Sequence, residues 1–353
     1  MFTFYADPKA MAAERFAQFV GLGSPADTIR DVSKGLDDLW RDGPGGWPYE
    51  WSRAAEACET RDDWLQASLF YGIGKYPCLG DATRVKVYEK HLATYLKAAK
   101  TFPMRFERRI LTVPYRGGST DVAAHLLSPK DANDKSPVLL MMGGIDTWKL
   151  DVHHTAVQVG AALNAHIALV DMVGVGESKV PLAADGDVVL AGVIDHIRSL
   201  GNGRVGVFAF SFGATWAVKL ALTGRVDAAA ASGPLVADAF HEEFLGRMPN
   251  GMPGIIGNAL RRDAAFRNDS EMSAAMAPFN MRDQGLLDWR GGRTPLYVVN
   301  GAIDPYVPNS DITVLESRPD TIVKLVPNAT HCAAEKMHAL MPDILQWLGS
   351  RLS

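Results

Sequence analysis

From Arg105 to the end of the chain, short apolar runs alternate with stretches of helical periodicity, and this alternation limits the possible folds more than any other feature. The first two runs, 106–114 and 121–127, are predicted to pair as a β-ribbon. The other predicted strands are short and almost wholly apolar, as in strands buried on both faces: 138–142, 167–170, 205–209, 228–231, 296–300 and 322–326. Helices separate most of them, so the sequence predicts an α/β fold with a mostly parallel eight-stranded sheet flanked by helices.

Residues 1–104 show helical periodicity and almost no β-type alternation, so we expect a separate all-helical N-terminal domain before the strand-containing part at 105–353. Within it we predict a helix from Ser24 as N-cap, with Pro25 in the first turn, to about Trp40. The remaining predictions for this segment are a loop at 42–48 and helices at 62–76 and 81–100.

Two other regions bear on a ligand site. A helical stretch at 236–284, which contains methionine and phenylalanine, interrupts the strand pattern and is expected to cross the carboxyl edge of the sheet. The N-terminal segment holds four of the eight tryptophans: Trp40, Trp47, Trp51 and Trp64. Each ring is most simply explained by helix packing, because large aromatic side chains dominate core burial. Together they could also surround an apolar ligand.

Composition excludes several classes of partner. The net charge is −4, with acidic and basic residues interspersed, which argues against nucleic-acid binding. No uninterrupted apolar run approaches the roughly 18–20 residues of a membrane helix, and the N-terminus lacks a basic stretch followed by an apolar one. The 3 cysteines are widely spaced and form no CxxC pair. We therefore expect a cytoplasmic protein without membrane contact, a disulfide framework or a thiolate zinc site.

A serine stands between a predicted strand and a predicted helix. Ser211 directly follows the apolar run 205–210 and precedes helical residues 215–222. A nucleophile elbow requires this context, with small residues two positions before and two after the serine. Ala209 and Gly213 satisfy that condition, although glycine is more usual than alanine at the first of them. The motif predicts that Ser211 is a catalytic nucleophile.

An acid and a histidine follow Ser211 in the order that this kind of triad requires. Asp304 lies in the loop after the predicted strand 296–300, and His331 in the loop after 322–326. Taken singly, Asp304 could be a turn acid and His331 an ordinary loop histidine. Their joint order after Ser211 favours catalysis, with His331 as general base and Asp304 as the group that orients it.

The oxyanion of such a reaction needs backbone N–H donors. One should come from Phe212, and another from Gly144 or Ile145 in the loop after strand 138–142, although an ordinary Gly-Gly turn is the simpler alternative. We also expect substrate contacts from three further side chains: Asp146, Trp148 and Glu242. Glu242 has a simpler interpretation as a solvent-facing helix acid.

Two patterns suggest cofactors but fail on their details. The GxG at 174–176 lacks the third glycine of a dinucleotide fingerprint. His153 and His154 are adjacent, so on a helix their side chains point about 100° apart, and no other ligand motif accompanies them. We therefore expect neither a cofactor nor a metal.

The G-G-x-D at 143–146, the D-x-x-G-x-G-x-S at 171–178 and the ordered triad resemble the FrsA-like esterase and 2,6-dihydroxypseudooxynicotine hydrolase-like group of the α/β-hydrolase superfamily. The resemblance implies the α/β-hydrolase fold, a helical cap that closes over the triad, and cleavage of esters or of C–C bonds next to ketones. Relatives with such N-terminal segments often dimerise, so a homodimer is possible.

The leading hypothesis is a serine hydrolase that acts on an apolar, aromatic or polyketide-like small molecule through an acyl-Ser211 intermediate. An acyltransferase or cyclase would use the same triad with a substrate hydroxyl in place of water. A non-catalytic ligand-binding protein would be expected to carry a disabled triad. All three triad positions here hold chemically competent residues.

Overall fold

The computed structural model describes residues 2–288 and 294–353. Within these residues one sheet has eight strands: β1 Arg105–Tyr115, β2 Gly118–Ser128, β3 Val138–Met142, β4 His166–Leu169, β5 Val205–Phe210, β6 Ala228–Ser232, β7 Leu296–Gly301 and β8 Thr321–Val326. Each lies within three residues of a predicted strand at either end. The strand order is β1-β2-β4-β3-β5-β6-β7-β8.

The sheet brings several loops together at one edge. β2 is antiparallel to β1 and β4, and all neighbours from β4 to β8 are parallel. β3 lies between β4 and β5. The connection after β3 therefore runs to the strand on one side of it, and the connection after β4 crosses to the strand on its other side. Such a reversal opens a crevice at the carboxyl ends of the strands, where ligands bind in open α/β sheets. The residues after β3 and β5 therefore meet at this position.

Helices cover both faces of the sheet. The N-terminal helical segment, which we define as residues 2–104, contains α1 Pro8–Glu14, α2 Phe16–Gly21, α3 Ala26–Lys34, α4 Trp47–Glu59, α5 Trp64–Gly74 and α6 Ala82–Ala98. The rest of the chain contains α7 His153–Leu163, α8 Gly186–Ile197, α9 Phe212–Leu222, α10 Glu242–Leu245, α11 Met252–Ala259, α12 Asp269–Met276, α13 Asn309–Thr313 and α14 Met337–Leu352. No helix in the described ranges is both long and apolar enough to cross a bilayer.

Local sequence explains several helix starts. The Asp7 carboxylate accepts N–H groups of the first turn of α1, and Asp63 and Asp81 do the same for α5 and α6. Two predictions in this segment are wrong, and the first concerns the bounds of α3. The N-cap of α3 is Pro25 rather than Ser24, and α3 ends at Lys34, before Gly35, rather than near Trp40.

The second wrong prediction concerns the loop at 42–48. α4 already begins at Trp47, with Gly46 as its N-cap. Pro48 lies in the first turn, where a proline costs nothing because the N–H it lacks has no partner within the helix. The proline therefore belongs to the start of the helix and does not break it.

The core has one apolar layer on each face of the sheet. Along β5, Val207 and Ala209 pack into one layer, and Phe208 packs into the other with Trp347 of α14. A third cluster joins the helices of the N-terminal helical segment and contains Trp47 and Trp51. These two fully buried rings pack helices together, as the simpler interpretation of the tryptophans predicted.

Helices α10 to α12 form the predicted excursion. Its start is fixed by Asp311 of α13, whose carboxylate accepts the N–H groups of Val236 and Asp238, each at 2.6 Å. Its end returns to the same place, because the N–H of Met281 donates to the carbonyl of Val236 at 2.9 Å. The excursion is thereby held at the edge where the loops after β3 and β5 meet.

Candidate active site

Ser211 occupies the tight turn between β5 and α9. Its φ of 55° and ψ of −131° are strained for a residue with a side chain, as expected of a nucleophile elbow. A Cβ at Gly213 would lie 2.0 Å from the carbonyl oxygen of Gly143, so this position cannot carry a side chain. The methyl group of Ala209 is fully buried, which shows that the departure from glycine is accommodated.

The three predicted triad residues are in hydrogen-bond contact. The distance from Ser211 Oγ to His331 Nε2 is 2.8 Å, and from His331 Nδ1 to Asp304 Oδ2 it is 2.7 Å. The serine hydroxyl can therefore donate to Nε2 when Nδ1 carries the ring proton and donates it to the carboxylate. This tautomer places the basic nitrogen against the nucleophile.

Asn300 ties the acid loop to the histidine loop. Its Nδ2 donates to Asp304 Oδ2 at 2.7 Å, and its Oδ1 accepts the N–H of Cys332 at 2.9 Å. The N–H of Tyr306 donates to the other carboxylate oxygen of Asp304 at 2.7 Å. Asn300 is fully buried near the end of β7. Asn300 was not predicted, although an amide in an otherwise apolar strand is a detectable signal.

Electrostatics favour an ionised acid beside the histidine. Burial would raise the pKa of Asp304, but the charge and hydrogen bond of His331, with the donors Tyr306 and Asn300, lower it. Burial would likewise lower the pKa of His331, but the charge of Asp304, the neighbouring Cys332 and the hydrogen bond that Nδ1–H donates to Asp304 raise it well above its usual value. Asp304 can thus stabilise the imidazolium that forms when His331 takes a proton.

The two expected oxyanion elements lie beside Ser211. A Cβ on Gly144 would be 2.6 Å from Ser211 Cβ, so glycine is needed for this close approach. Ile145 and Phe212 line the same pocket as Ser211 and His331. Across residues 2–288 and 294–353, the backbone N–H groups of Ile145 and Phe212 donate to no other backbone group. Both are therefore free to donate to an oxyanion.

The pocket over Ser211 has a largely apolar wall with a polar end. Its lining residues are Arg15, Ile145, Asp146, Ser211, Phe212, Leu235, Met248, Met252, Ile256, Tyr306 and His331. Part of the wall comes from the excursion, and Arg15 comes from the N-terminal helical segment. Arg15 was not predicted, because no local motif marks it, whereas Met248 and Met252 belong to the methionine-containing stretch 236–284 that was expected at this edge of the sheet.

Of the three side chains expected to contact the substrate, Asp146 alone lines this pocket. Trp148 is 2% exposed, and its Nε1 donates to the carbonyl of Ile145 within the same loop after β3 at 3.1 Å. Glu242 is exposed on α10 and does not line the pocket. The expectation that Trp148 and Glu242 contact the substrate is therefore corrected.

The histidine pair and the GxG loop have structural partners. His153 Nδ1 lies 2.9 Å from the hydroxyl of Tyr95, and the His154 ring packs against Gly23. In the GxG loop, Asp171 accepts hydrogen bonds from Lys149 and from the N–H of Glu177. Within the described residues, no group of three or more histidine, cysteine or acidic side chains could hold a metal ion.

Comparisons with known proteins agree on one group. A family model described as "Esterase FrsA-like" matches residues 29–353. Esterase FrsA of Salmonella typhi is 27% identical over 331 residues, which are 87% of this chain and 77% of the relative. Esterase FrsA of Citrobacter koseri is 27% identical over 329 residues, with the same coverage.

Two solved structures share the fold over almost the whole chain. Wild-type AbyA5 has a TM-score of 0.77 at 21% identity, with 96% of this chain and 98% of AbyA5 covered. A 2,6-dihydroxy-pseudo-oxynicotine hydrolase has a TM-score of 0.77 at 19% identity, with 95% of each chain covered. At that coverage the N-terminal helical segment belongs to the shared architecture.

Proposed function

The chain belongs to the FrsA-like esterase family and is an α/β-hydrolase, and from this premise we propose that it is a serine hydrolase with Ser211 as its nucleophile. One observation carries the proposal: the unbroken chain of contacts from Ser211 Oγ through His331 to Asp304, at 2.8 and 2.7 Å. A structural serine would need neither the strained turn nor a buried imidazole–carboxylate pair beside it.

The reaction follows from these contacts. His331 Nε2 accepts the hydroxyl proton as Ser211 Oγ attacks the substrate carbonyl carbon. The oxyanion is stabilised by the N–H groups of Phe212 and Ile145. His331 then gives the proton to the leaving group, and an acyl-Ser211 remains. Water, deprotonated by the same imidazole, attacks the acyl carbon; the bond from that carbon to Ser211 Oγ breaks, His331 returns the proton to Oγ, and the acid is released.

The pocket wall supports an apolar small molecule as the substrate. Leu235, Met248, Met252 and Ile256 offer apolar contacts, and unbranched methionine side chains adapt to ligands of irregular shape. We propose an aromatic or polyketide-like acyl compound, held beneath the N-terminal helical segment and the excursion as caps. The scissile bond is an ester, or a C–C bond next to a ketone that leaves as an enolate. Each bond passes through the same acyl-Ser211.

A fluorophosphonate probe tests the nucleophile. We expect one equivalent of label on the native protein, none on Ser211→Ala, and normal labelling of the control Ser350→Ala, whose serine lies on α14 away from the pocket. Equal labelling of the Ser211→Ala variant would exclude the proposal.

A substrate panel then identifies the bond. Aryl esters and β-diketones are incubated with the protein in ¹⁸O-labelled water, and the masses of the products are measured by mass spectrometry. Hydrolysis places one ¹⁸O atom in the released acid. A product without that label would identify acyl transfer or cyclisation, in which a substrate hydroxyl replaces water.

A further inference from the structure

The N-terminal helical segment reaches into the catalytic centre at the loop after β3. We propose that Lys75, Arg15 and Gln18 of this segment are positioning residues, which hold the loop in the conformation that presents the N–H of Ile145 to the oxyanion. We call residues 143–151 the oxyanion loop. The inference rests on the proposed function, since it assigns a further task in the same reaction.

Lys75 binds the oxyanion loop at two points. Its side chain is 1% exposed, and its Nζ donates to the carbonyl of Asp146 at 2.8 Å and to Asp151 Oδ2 at 2.9 Å. The same Oδ2 accepts the N–H of Trp148 at 2.6 Å. Nζ also lies 3.8 Å from the centre of the Trp148 ring, a cation–π contact. A single buried cation thus joins the middle of the loop to its end.

Arg15 and Gln18 hold the side chains of the same loop. Arg15 is 5% exposed, and its Nη2 lies 3.0 Å from Asp146 Oδ2. Its Nη1 donates to Gln18 Oε1 at 3.0 Å, and Gln18 Nε2 donates in turn to Thr147 Oγ1. Two consecutive loop residues are therefore held from the α1–α2 region.

These contacts fix the peptide groups on each side of Ile145. Before it, Gly144 packs against Ser211. After it, the carbonyl of Asp146 is held by Lys75, and the carbonyl of Ile145 itself accepts the indole N–H of Trp148. Two consecutive glycines give the start of the loop little conformational preference of its own. The direction of the Ile145 N–H therefore depends on contacts made by the N-terminal helical segment.

The buried charges of Lys75 and Arg15 determine which residues of the oxyanion loop they contact. Buried cations are tolerated only with buried partners, and Lys75 and Arg15 find theirs in Asp151 and Asp146. Across the described residues, the remaining buried cation of the loop, Lys149, faces Asp171 and Glu177 on the other side. The loop is thus held in a clamp, by the N-terminal helical segment on one side and by the residues that follow β4 on the other.

Two variants remove the clamp while avoiding an unpaired buried charge. Lys75→Met combined with Asp151→Asn neutralises both partners and keeps an acceptor for the Trp148 N–H. Gln18→Met removes the hydrogen bond to Thr147 and the one that Gln18 Oε1 accepts from Arg15, whose guanidinium keeps its ion pair with Asp146. Because a misplacement of about 1 Å can cost on the order of 100-fold in rate, we expect kcat for p-nitrophenyl butyrate to fall by about 10- to 100-fold in the double variant and by a few-fold in Gln18→Met. KM should change by less than about threefold.

Phenylboronic acid reports on the same geometry without turnover, because its tetrahedral serine adduct places an oxygen in the oxyanion site. Its Kd should rise in parallel with the fall in kcat. Arg84→Met is the matched control, since Arg84 is a fully buried cation of the same segment that pairs with Asp81 and does not contact the oxyanion loop. It should lower the thermal unfolding midpoint while the folded protein keeps its kcat and its Kd for the boronate.

The outcomes separate the two proposals. If native protein resists the fluorophosphonate, the serine-hydrolase function itself is wrong. If native protein is labelled and turns over ester, but both clamp variants fold and keep wild-type kcat and boronate affinity, the positioning role is wrong and the hydrolase stands. A fall in kcat with a parallel rise in the Kd for phenylboronic acid supports the positioning role. An equal effect in Arg84→Met would mean that the variants act through the stability of the folded protein, and the positioning role would be wrong.

Discussion

The imidazole of His331 lies between the hydroxyl of Ser211, at Nε2, and the carboxylate of Asp304, at Nδ1. Asp304 does not line the pocket, and its side chain has no exposed area. Its influence therefore passes through the imidazole. The carboxylate selects the tautomer with a free Nε2 and raises the pKa of that ring, so in the proposed mechanism we expect it to set both the rate and the pH dependence.

Replacing Asp304 by Asn should change rate and pH dependence together. Activity requires neutral His331, so kcat/KM falls as the pH drops through the pKa of that ring. Without the carboxylate charge this pKa decreases, and the acid limb of the profile moves to lower pH. Loss of the correct tautomer should also lower kcat by about 10⁴-fold.

The profile is measured with an aryl ester between pH 4 and 9 for native protein, Asp304→Asn and a surface control, Asp320→Asn, whose side chain is exposed in the turn before β8. The control should overlay the native profile. An acid limb that stays in place in Asp304→Asn would show that Asp304 does not set the pKa of His331.

The sequence predicted the triad residues because each follows a strand whose apolar pattern is distinct, and because their order along the chain is diagnostic. It could not predict Arg15, since nothing local distinguishes this arginine from the other basic residues. Its partner Asp146 is distant in the chain, and only the packing of α1 and α2 against the oxyanion loop brings them together. Trp148 was predicted at the correct loop but on the wrong side, because side-chain direction in a loop has no fixed period.

At the scale of elements, strands were easier to predict than helix ends. Buried parallel strands are continuous apolar runs, so β3 was predicted with its observed bounds. Helix ends are harder to predict, because a proline can stand either in the first turn of a helix or just beyond its last turn. The local residue composition does not distinguish these two positions. For this reason the start of α4 at Trp47 was interpreted as part of a loop.

Helix α13 anchors the excursion that forms the apolar wall of the pocket. Asp311 is fully buried and accepts the N–H groups of Val236 and Asp238. Asp311→Ala should leave these donors without partners, at about 1–3 kcal/mol of unfolding free energy for each. We expect a lower urea midpoint and faster amide exchange across 236–281.

Asp283→Ala provides the comparison for this variant, because Asp283 is exposed at the end of the excursion and its carboxylate makes no anchoring contact within the described chain. Exchange rates across 236–281 that match the native protein in Asp311→Ala would contradict the anchoring role. A change confined to α13 itself would do the same.

At the scale of the whole molecule, α6 of the N-terminal helical segment contacts both the sheet and α7. Tyr95 of α6 stacks on His125 of β2, with ring centres 5.3 Å apart, and its hydroxyl lies 2.9 Å from His153 Nδ1. His91, also on α6, is fully buried near Asp151, with 3.8 Å between Nε2 and Oδ1. The sequence predicted the α6 helix and the sheet, but no pattern in it specified that histidines would meet there.

Burial is the main reason why these histidines resist protonation. It lowers the pKa of His91 to about 4 and the pKa of His125 and His153 to about 3, from an ordinary value of 6.5. A histidine whose pKa is lower in the folded protein contributes stability that is present above the unfolded value and lost as the pH falls toward the folded one. The unfolded chain takes up protons over that range and the folded chain does not.

We therefore expect the unfolding free energy to fall below about pH 6.5, by up to about 1.4 kcal/mol per pH unit for each of the three histidines. His91→Leu should make this slope shallower by up to about 1.4 kcal/mol per pH unit. Both ring nitrogens of His91 lack a hydrogen-bond partner in the described chain, so the substitution should cost little stability at pH 7.

Urea unfolding at pH 7, 6 and 5 measures the slope. His338→Leu is the control, because it replaces a histidine that is exposed on α14 rather than buried. A slope in His91→Leu that equals the native slope between pH 6.5 and 5 would mean that His91 takes up its proton in the folded protein. The contact between α6 and the sheet would then be less tightly closed to water than its burial implies.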